Sequence, residues 1–222
     1  MNGAIQLIMD KPKWARLGTT LKYALYVITH PFDGFWDLTH EKRGSLAAAN
    51  VITVVMVLVE VLRLTLTNFQ FVSINMEYFN VITVALRILL PLFLWTVANW
   101  SLTTLMDGKG HLLEIYMATA YAFTPYIIIN AAMIALSQFI TAQEGSVYYV
   151  LTSFALVWSV LLVLAAMMMV HSYSAAKAIL SSLLSIIAMG VMVFIFLMFF
   201  SLISDAIAYF ISLYKEIAFR LT

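Results

Sequence analysis

Five long stretches of apolar residues, separated by short polar segments, dominate the chain. They run approximately from Leu46 to Thr67, Phe79 to Met106, Ile115 to Ile140, Val147 to Val170 and Leu183 to Ile203. Each is long enough to cross a hydrocarbon core, which takes about 20 residues of helix. Helices are required because lipid offers no partner to unpaired backbone groups, and a β-barrel would show an alternation that these stretches lack. The pattern predicts an all-α polytopic membrane protein with five transmembrane helices.

An amphipathic segment precedes the first span. Between Trp14 and Ile28, apolar residues recur at helical spacing, while the basic residues lie mostly elsewhere on the helix. Such a helix either lies in the cytoplasmic membrane interface or packs beneath the bundle, and both arrangements share this periodicity. The pairs His30-Pro31 and Asp33-Gly34 are expected to break the chain that follows. We therefore predict a cytoplasmic elbow from Thr29 to Gly44, leading into the first span.

The positions of lysine and arginine predict the orientation of the spans. With the N-terminus inside, eight of these residues face the cytoplasm and two face outside, while the connections 68–78 and 141–146 contain none. Anionic lipids and the membrane potential hold such charges on the cytoplasmic side. We expect a cytoplasmic N-terminus and, after five spans, a C-terminus outside. The segment from Asp205 to Tyr214 is then where the last span emerges at the outer interface.

Composition supports an integral membrane protein and narrows its partners. The chain is 64% hydrophobic and 10% charged, whereas soluble domains carry about 25% charged residues. A net charge of +1 without a basic stripe argues against a nucleic-acid partner, and zero cysteines exclude disulfides and thiolate sites. No signal peptide is expected at the N-terminus. Residues 1–45 are predicted to form the helix and elbow, and residues 46–222 the five-helix domain.

Three charged residues lie within predicted spans. Glu60 and Arg63 are three residues apart on the first span, so they share a helix face and can pair, while Arg87 lies in the second span. One interpretation is structural, with the three residues forming one polar cluster that holds the two helices in register. The other is functional, with the cluster lining a polar cavity for a solute, a lipid headgroup or a partner helix.

Two prolines are expected to shape the second and third spans. Pro91 and Pro125 can kink these helices, and Thr124 or a neighbouring helix is expected to satisfy the backbone group that Pro125 frees. Small residues in the fourth and fifth spans, such as Ser181 and Ser185, allow close approach between helices. These features predict tight helix packing.

No residue pattern supports catalysis or a cofactor. The four histidines map to the cytoplasmic side at spacings that match no metal motif, so they are expected to be solvated or to cap helices; they are His30, His40, His111 and His171. The thirteen methionines are interpreted as packing residues rather than as a copper path. The sequence shows no nucleophile elbow, phosphate-binding loop or paired-carboxylate signature. We predict a protein that is not an enzyme and needs no cofactor.

One region resembles a known family. The segment NWSLTTLMDGKG ends the second span with Asp107, Gly108, Lys109 and Gly110, and the third span then opens with ATAYAFTPY, which contains Tyr121 and Pro125. Together these are similar to the signature of the Yip (Ypt-interacting protein) domain family. The glycines of the turn are expected to adopt positive φ angles. The resemblance covers nearly the whole chain from about residue 28, and it implies five spans and a cytoplasmic N-terminus.

The resemblance implies interaction rather than chemistry. Eukaryotic members bind Rab GTPases through long soluble N-terminal regions, whereas only about 45 residues precede the first span here, so Rab binding is not expected. The compact form looks like bacterial members, some of which are encoded beside ATP-binding-cassette (ABC) transport systems. That likeness implies a bacterial plasma membrane location.

Three functions follow as expectations. The first is a non-catalytic accessory or scaffold subunit that contacts the lipid bilayer and binds other integral membrane proteins, transporter subunits among them. The second is a carrier or channel for a small solute or lipid that uses Glu60, Arg63 and Arg87. The third is a membrane-shaping or trafficking-like role for the helix from Trp14 to Ile28.

Overall fold

The computed structural model describes residues 11–72, 77 and 79–221, which form eight α-helices and a short 3₁₀ turn. The helices are α1 (Lys11–Thr29), α2 (Pro31–His40), α3 (Leu46–Leu66), α4 (Val81–Leu105), α5 (Leu112–Ala122), α6 (Thr124–Leu136), α7 (Gly145–His171) and α8 (Ala175–Leu221). Within this part of the chain, five helical segments are long and apolar enough to cross a membrane: α3, α4, α5 with α6, α7 and α8. The predicted all-helical, five-span architecture is confirmed. The start of the chain, where no signal peptide is predicted, and part of the connection 68–78 lie outside the described residues.

The helices form a bundle in which α7 packs against α2, α5 and α6, while α4 packs against α5 and α8. We call the end that carries α1, α2 and the α4–α5 turn the proximal end. The end that carries the connections after α3 and α6 is the distal end. These two names describe position in the bundle only.

The predicted elbow is largely a helix. Helix α1 ends at Thr29, and Pro31 stands in the first turn of α2, where its missing N–H leaves no helical hydrogen bond unmade. Gly34 lies inside α2 and packs closely against α1. A Cβ at this position would come within 3.1 Å of the Val27 backbone, so the close approach favours glycine. The break predicted at His30-Pro31 therefore occurs, at His30 between α1 and α2, whereas the break predicted at Asp33-Gly34 is wrong because both residues lie inside α2.

Both N-terminal helices contribute to the main core. Val27 of α1 and Phe35 and Leu38 of α2 are almost completely buried, in the same cluster as Ile115 and Tyr121 of α5. One face of α1 thus packs against the bundle, which agrees with the packed alternative for this helix. The division of the chain at residue 45 stays a prediction, and the helices on either side of it share one core.

The third span is interrupted where the sequence predicts a kink. Helix α5 ends at Ala122 and α6 begins at Thr124, with Pro125 in its first turn. Proline cannot donate to the carbonyl of Tyr121, four residues earlier. The Thr124 hydroxyl donates to that carbonyl instead, at 2.7 Å, so the predicted compensation by Thr124 is confirmed.

The last helix is much longer than predicted. Helix α8 contains 47 residues, or roughly 70 Å at about 1.5 Å per residue. It packs against α4 and α7 near its start, and every side chain from Val193 to Ile217 is exposed. The sequence prediction ended this span at Ile203. The helix continues through Asp205 because no glycine or proline follows Gly190 to stop it.

Candidate functional site

A buried chain of hydrogen bonds joins α4, α7 and α8 at the proximal end. His171 and Asn99 are almost completely buried, and Nε2 of His171 lies 2.9 Å from Oδ1 of Asn99. The Asn99 amide nitrogen donates to Oγ of Ser185 at 3.2 Å, and the Ser185 hydroxyl donates to the Ser181 carbonyl at 2.8 Å. We call His171, Asn99 and Ser185 the interhelical polar chain.

The α4–α5 turn is attached to this chain. The backbone N–H of Gly110 donates to Nδ1 of His171 at 3.2 Å. Nδ1 must therefore carry a lone pair, which places the imidazole proton on Nε2 as the donor to Asn99. His171 is thus a neutral structural residue. The prediction that it is solvated or caps a helix is wrong, because α4 and the turn close over it.

The turn needs its glycines for space rather than for unusual dihedral angles. Positive φ occurs at Asp107, at 57°, and at neither glycine of the turn. A Cβ on Gly108 would stand 2.8 Å from Nδ1 of His171 and from the hydroxyl of Tyr173. A Cβ on Gly110 would collide with Val170 and His171. The predicted positive φ at the glycines is therefore wrong, and close packing explains both.

Tyr173 fixes the turn from the side. Its hydroxyl donates to the Met106 carbonyl at 3.0 Å. Burial and, secondarily, the nearby Asp107 carboxylate raise the pKa of the Tyr173 phenol, so it remains a donor. Asp107 and Lys109 are exposed at the tip of the turn. The turn therefore presents two opposite charges on a rigid base.

The predicted pair in the first span forms and gains a third member. Nε of Arg63 donates to Oε2 of Glu60 at 2.9 Å, and Nη2 donates to Oε1 at 2.6 Å. The Tyr126 hydroxyl donates to the same carboxylate at 3.0 Å. Two-point contact between a guanidinium and a carboxylate fixes both side chains. This cluster joins α3 to α6, a partner that sequence spacing alone does not identify.

Arg87 stays outside that cluster. Its charge acts on Glu60 electrostatically, yet among the described residues it makes neither an ion pair nor a hydrogen bond, and its side chain is exposed. The expected three-residue contact between α3 and α4 therefore does not form. Arg87 instead lines a cavity of about 530 Å³ that lies mainly between α4, α7 and α8, with Met56 of α3 and Thr119 of α5 also in its lining.

Tyr121 connects the third span to the N-terminal helices. It is completely buried, and its hydroxyl donates to the Thr20 carbonyl of α1 at 3.2 Å. Ser45 donates its backbone N–H to the same hydroxyl at 3.4 Å and caps α3 through Ala48. Tyr121 therefore holds α1 and the start of α3 in place. Pro125 lies one turn further along, at the break between α5 and α6.

The other histidines lie at the surface. His30, His40 and His111 are all exposed, and His111 stands at the N-cap of α5, where Glu114 accepts its backbone N–H at 2.9 Å. Across residues 11–72, 77 and 79–221, no three histidine, aspartate or glutamate side chains are grouped to hold a metal ion.

Comparison with known proteins gives one result. The family model described as the Yip1 domain matches residues 25–212. No curated protein and no solved structure matches the chain. The matched range runs from α1 to the exposed part of α8, and it includes both the interhelical polar chain and the Glu60–Arg63 pair.

Proposed function

Because the chain belongs to the Yip1 domain family of membrane proteins, we propose that it is a non-catalytic accessory or scaffold subunit that binds other integral membrane proteins. The proposed orientation has the proximal end in the cytoplasm, because Arg43, Lys109 and Lys177 lie there and the distal connection 141–146 carries no basic residue. In its most specific form, the proposal places the chain in a bacterial plasma membrane. Its partner there is an ABC-type transporter.

The observation that carries the proposal is the exposed part of α8. A span of about 20 residues crosses the hydrocarbon core, so a 47-residue helix extends well beyond it. Beyond Asp205, Ile207, Phe210 and Tyr214 are each at least half exposed. Such side chains are costly to leave in water, and a partner would cover them.

The spacing of these residues fits a partner helix. Apolar residues recur at alternating intervals of three and four along α8; this seam is formed by Val193, Phe196, Phe200, Ile203, Ile207, Phe210, Tyr214 and Ile217. Such a repeat over more than three heptads is typical of helix pairing. Beyond the apolar span, polar residues distinguish one side of the helix from the other. There Asp205 and Ser212 lie on the side opposite to the apolar set. We call this set the α8 seam.

The interior of the bundle supports binding better than solute transport. Arg63 and Tyr126 already satisfy the Glu60 carboxylate, so that cluster offers no free charge to a passing solute. The 530 Å³ cavity has an almost entirely apolar lining. A membrane-shaping role for α1 gains little support, because Ala24 and Val27 of its apolar face are buried in the bundle.

Site-specific photocrosslinking tests the proposal. A crosslinking amino acid replaces Phe210 on the α8 seam in one variant and Ser212 on the opposite face in the other, each expressed in native membranes. We expect the Phe210 variant to form an adduct with another integral membrane protein and the Ser212 variant to form much less. Equal labelling at both positions, or adducts at Phe210 only with a second copy of this chain, would contradict the proposed adaptor function.

A further inference from the structure

The 530 Å³ cavity has the size of a ligand site. Pockets that bind small molecules are typically about 300–1,000 Å³ and mostly apolar. Helix α4 provides one wall through Arg87, Pro91 and Trp95, which are four residues apart and so lie on one face. The opposite walls come from α7 and α8, with apolar side chains such as Val163 and Ile186.

Along α4, the charged residue of this wall, Arg87, lies closer to the distal end than its apolar residues do. Arg87 lies six residues after Val81, where α4 begins, or about 9 Å from the distal end of the helix. Trp95 lies about 12 Å deeper, and its indole N–H is already used in a bond to Thr119 at 3.2 Å. The cavity therefore has a cation near the membrane surface and apolar walls toward the membrane centre.

Arg87 is the charged group in this cavity that needs a partner. A cation in a membrane span is costly unless it reaches an anion or the interface, and Arg63 shows how this chain satisfies such a group with a carboxylate. In the described ranges no carboxylate pairs with Arg87.

We propose that this cavity binds an anionic phospholipid, with one acyl chain between α4, α7 and α8 and the phosphate on Arg87. A guanidinium matches phosphate oxygens with two parallel hydrogen bonds. The depth also agrees, because a phospholipid places its phosphate at the interface and its chains toward the membrane centre. This site is separate from the α8 seam, so it holds whether or not the adaptor proposal does.

The other end of the cavity offers a way to identify the ligand. Ser182 is 5% exposed and lines the cavity, and within the described part of the chain its hydroxyl has no hydrogen-bond partner. An acyl chain has no polar atom to offer that hydroxyl. Removing it should therefore leave phospholipid binding unchanged, whereas a ligand with a polar group at that depth would bind less well to the variant.

Lipid retention by the full chain tests the proposal. The chain is purified in mild detergent, mixed with phosphatidylglycerol or phosphatidylcholine, and examined by native mass spectrometry. We expect one retained phosphatidylglycerol per chain and much less phosphatidylcholine. Arg87→Gln should lower phosphatidylglycerol binding about tenfold or more, the effect of losing a charge-assisted hydrogen bond. Arg87→Lys should restore part of it.

Two tryptophan substitutions on α4 separate the cavity from the general lipid-facing surface. Leu92→Trp fills the cavity and should abolish retention, whereas Leu90→Trp, on an exposed position outside the lining, should not. Equal retention of both lipids, equal effects of the two tryptophans, loss of binding in Ser182→Ala, or a co-purified fatty acid in place of phospholipid would each overturn the proposal. If Arg87→Gln does not fold, the tryptophan pair alone decides.

Discussion

Replacing His171 with alanine tests whether the interhelical polar chain stabilises the bundle. The substitution removes the acceptor for the Gly110 N–H and the donor to Asn99, whose bonds measure 3.2 and 2.9 Å. It leaves a space between α7, α4 and the α4–α5 turn. The two glycines of the turn, which pack against the imidazole, have no side chains that could fill it.

Two effects set the size of the loss. An interhelical hydrogen bond in a membrane protein contributes about 0.6 kcal/mol on average and at most about 1.7 kcal/mol. A buried group left without a partner costs about 1–3 kcal/mol. Asn99 cannot turn away to find a new donor, because its amide nitrogen is bound to Ser185. The second effect therefore dominates, and we expect the free energy of unfolding of His171→Ala to fall by about 2–4 kcal/mol.

Reversible unfolding in mixed micelles of mild and denaturing detergent measures this difference. His111→Ala is the matched control, because His111 is exposed and its backbone bond to Glu114 survives the change; its loss should stay below about 1 kcal/mol. The stabilising role of the polar chain is refuted if the free energy of unfolding of His171→Ala lies within about 0.5 kcal/mol of the parent value. It is also refuted if this free energy is no lower than that of the His111→Ala control.

Three further predictions concern single contacts. By the same unfolding assay, Arg63→Ala should cost roughly 3 kcal/mol by leaving the Glu60 carboxylate unpaired, whereas Tyr126→Phe should cost about 1 kcal/mol; equal losses would contradict the ion pair as the main contact. Thr124→Val should cost about 1 kcal/mol by freeing a carbonyl at the α5–α6 break, and no loss would show that this carbonyl needs no partner. Burial raises the pKa of Tyr23 above its ordinary value of 10.0, so the folded state holds that proton more tightly. The stability that Tyr23 contributes is present below about pH 10 and falls as the pH rises above it. Tyr23→Phe should remove this contribution and flatten the alkaline part of the profile, while Tyr173 keeps its own; a profile identical to that of the parent would contradict the raised pKa of Tyr23.

Much of the fold follows from the sequence because lipid imposes length and polarity on each span. The boundaries of α3, α4 and α7 differ from the predicted ones by only a few residues. One local prediction fails at a glycine, a residue type with two possible roles. Gly34 allows close packing inside α2, although glycine is also typical of turns; the break predicted at Pro31 occurs, at His30.

The site was only partly predictable for a related reason. Glu60 and Arg63 are neighbours on one helix, so spacing alone identifies their contact. The contacts of His171 with Asn99 and Gly110 join residues 72 and 61 positions apart, and no local pattern contains that information. For Arg87 the sequence predicted a contact that does not form. Its position in the second span suggested that it joins Glu60 and Arg63, but the fold leaves it outside that cluster.

The distribution of satisfied polar atoms separates a binding protein from a solute conduit. A conduit needs a row of polar groups that are free to exchange partners along its length. Here the polar groups in the interior are mostly bound to one another, as in the Glu60–Arg63–Tyr126 cluster. Among the described residues, four buried hydroxyls lack a partner: those of Thr67, Tyr148, Ser159 and Ser182. They are spread over three helices or their ends, and the two on α7, Tyr148 and Ser159, are about 17 Å apart along the helix, so they form no closely spaced row. Binding at the outer surface of the bundle, by lipid or by a partner helix, therefore needs no rearrangement of these interior contacts, whereas passage of a polar solute would have to break them.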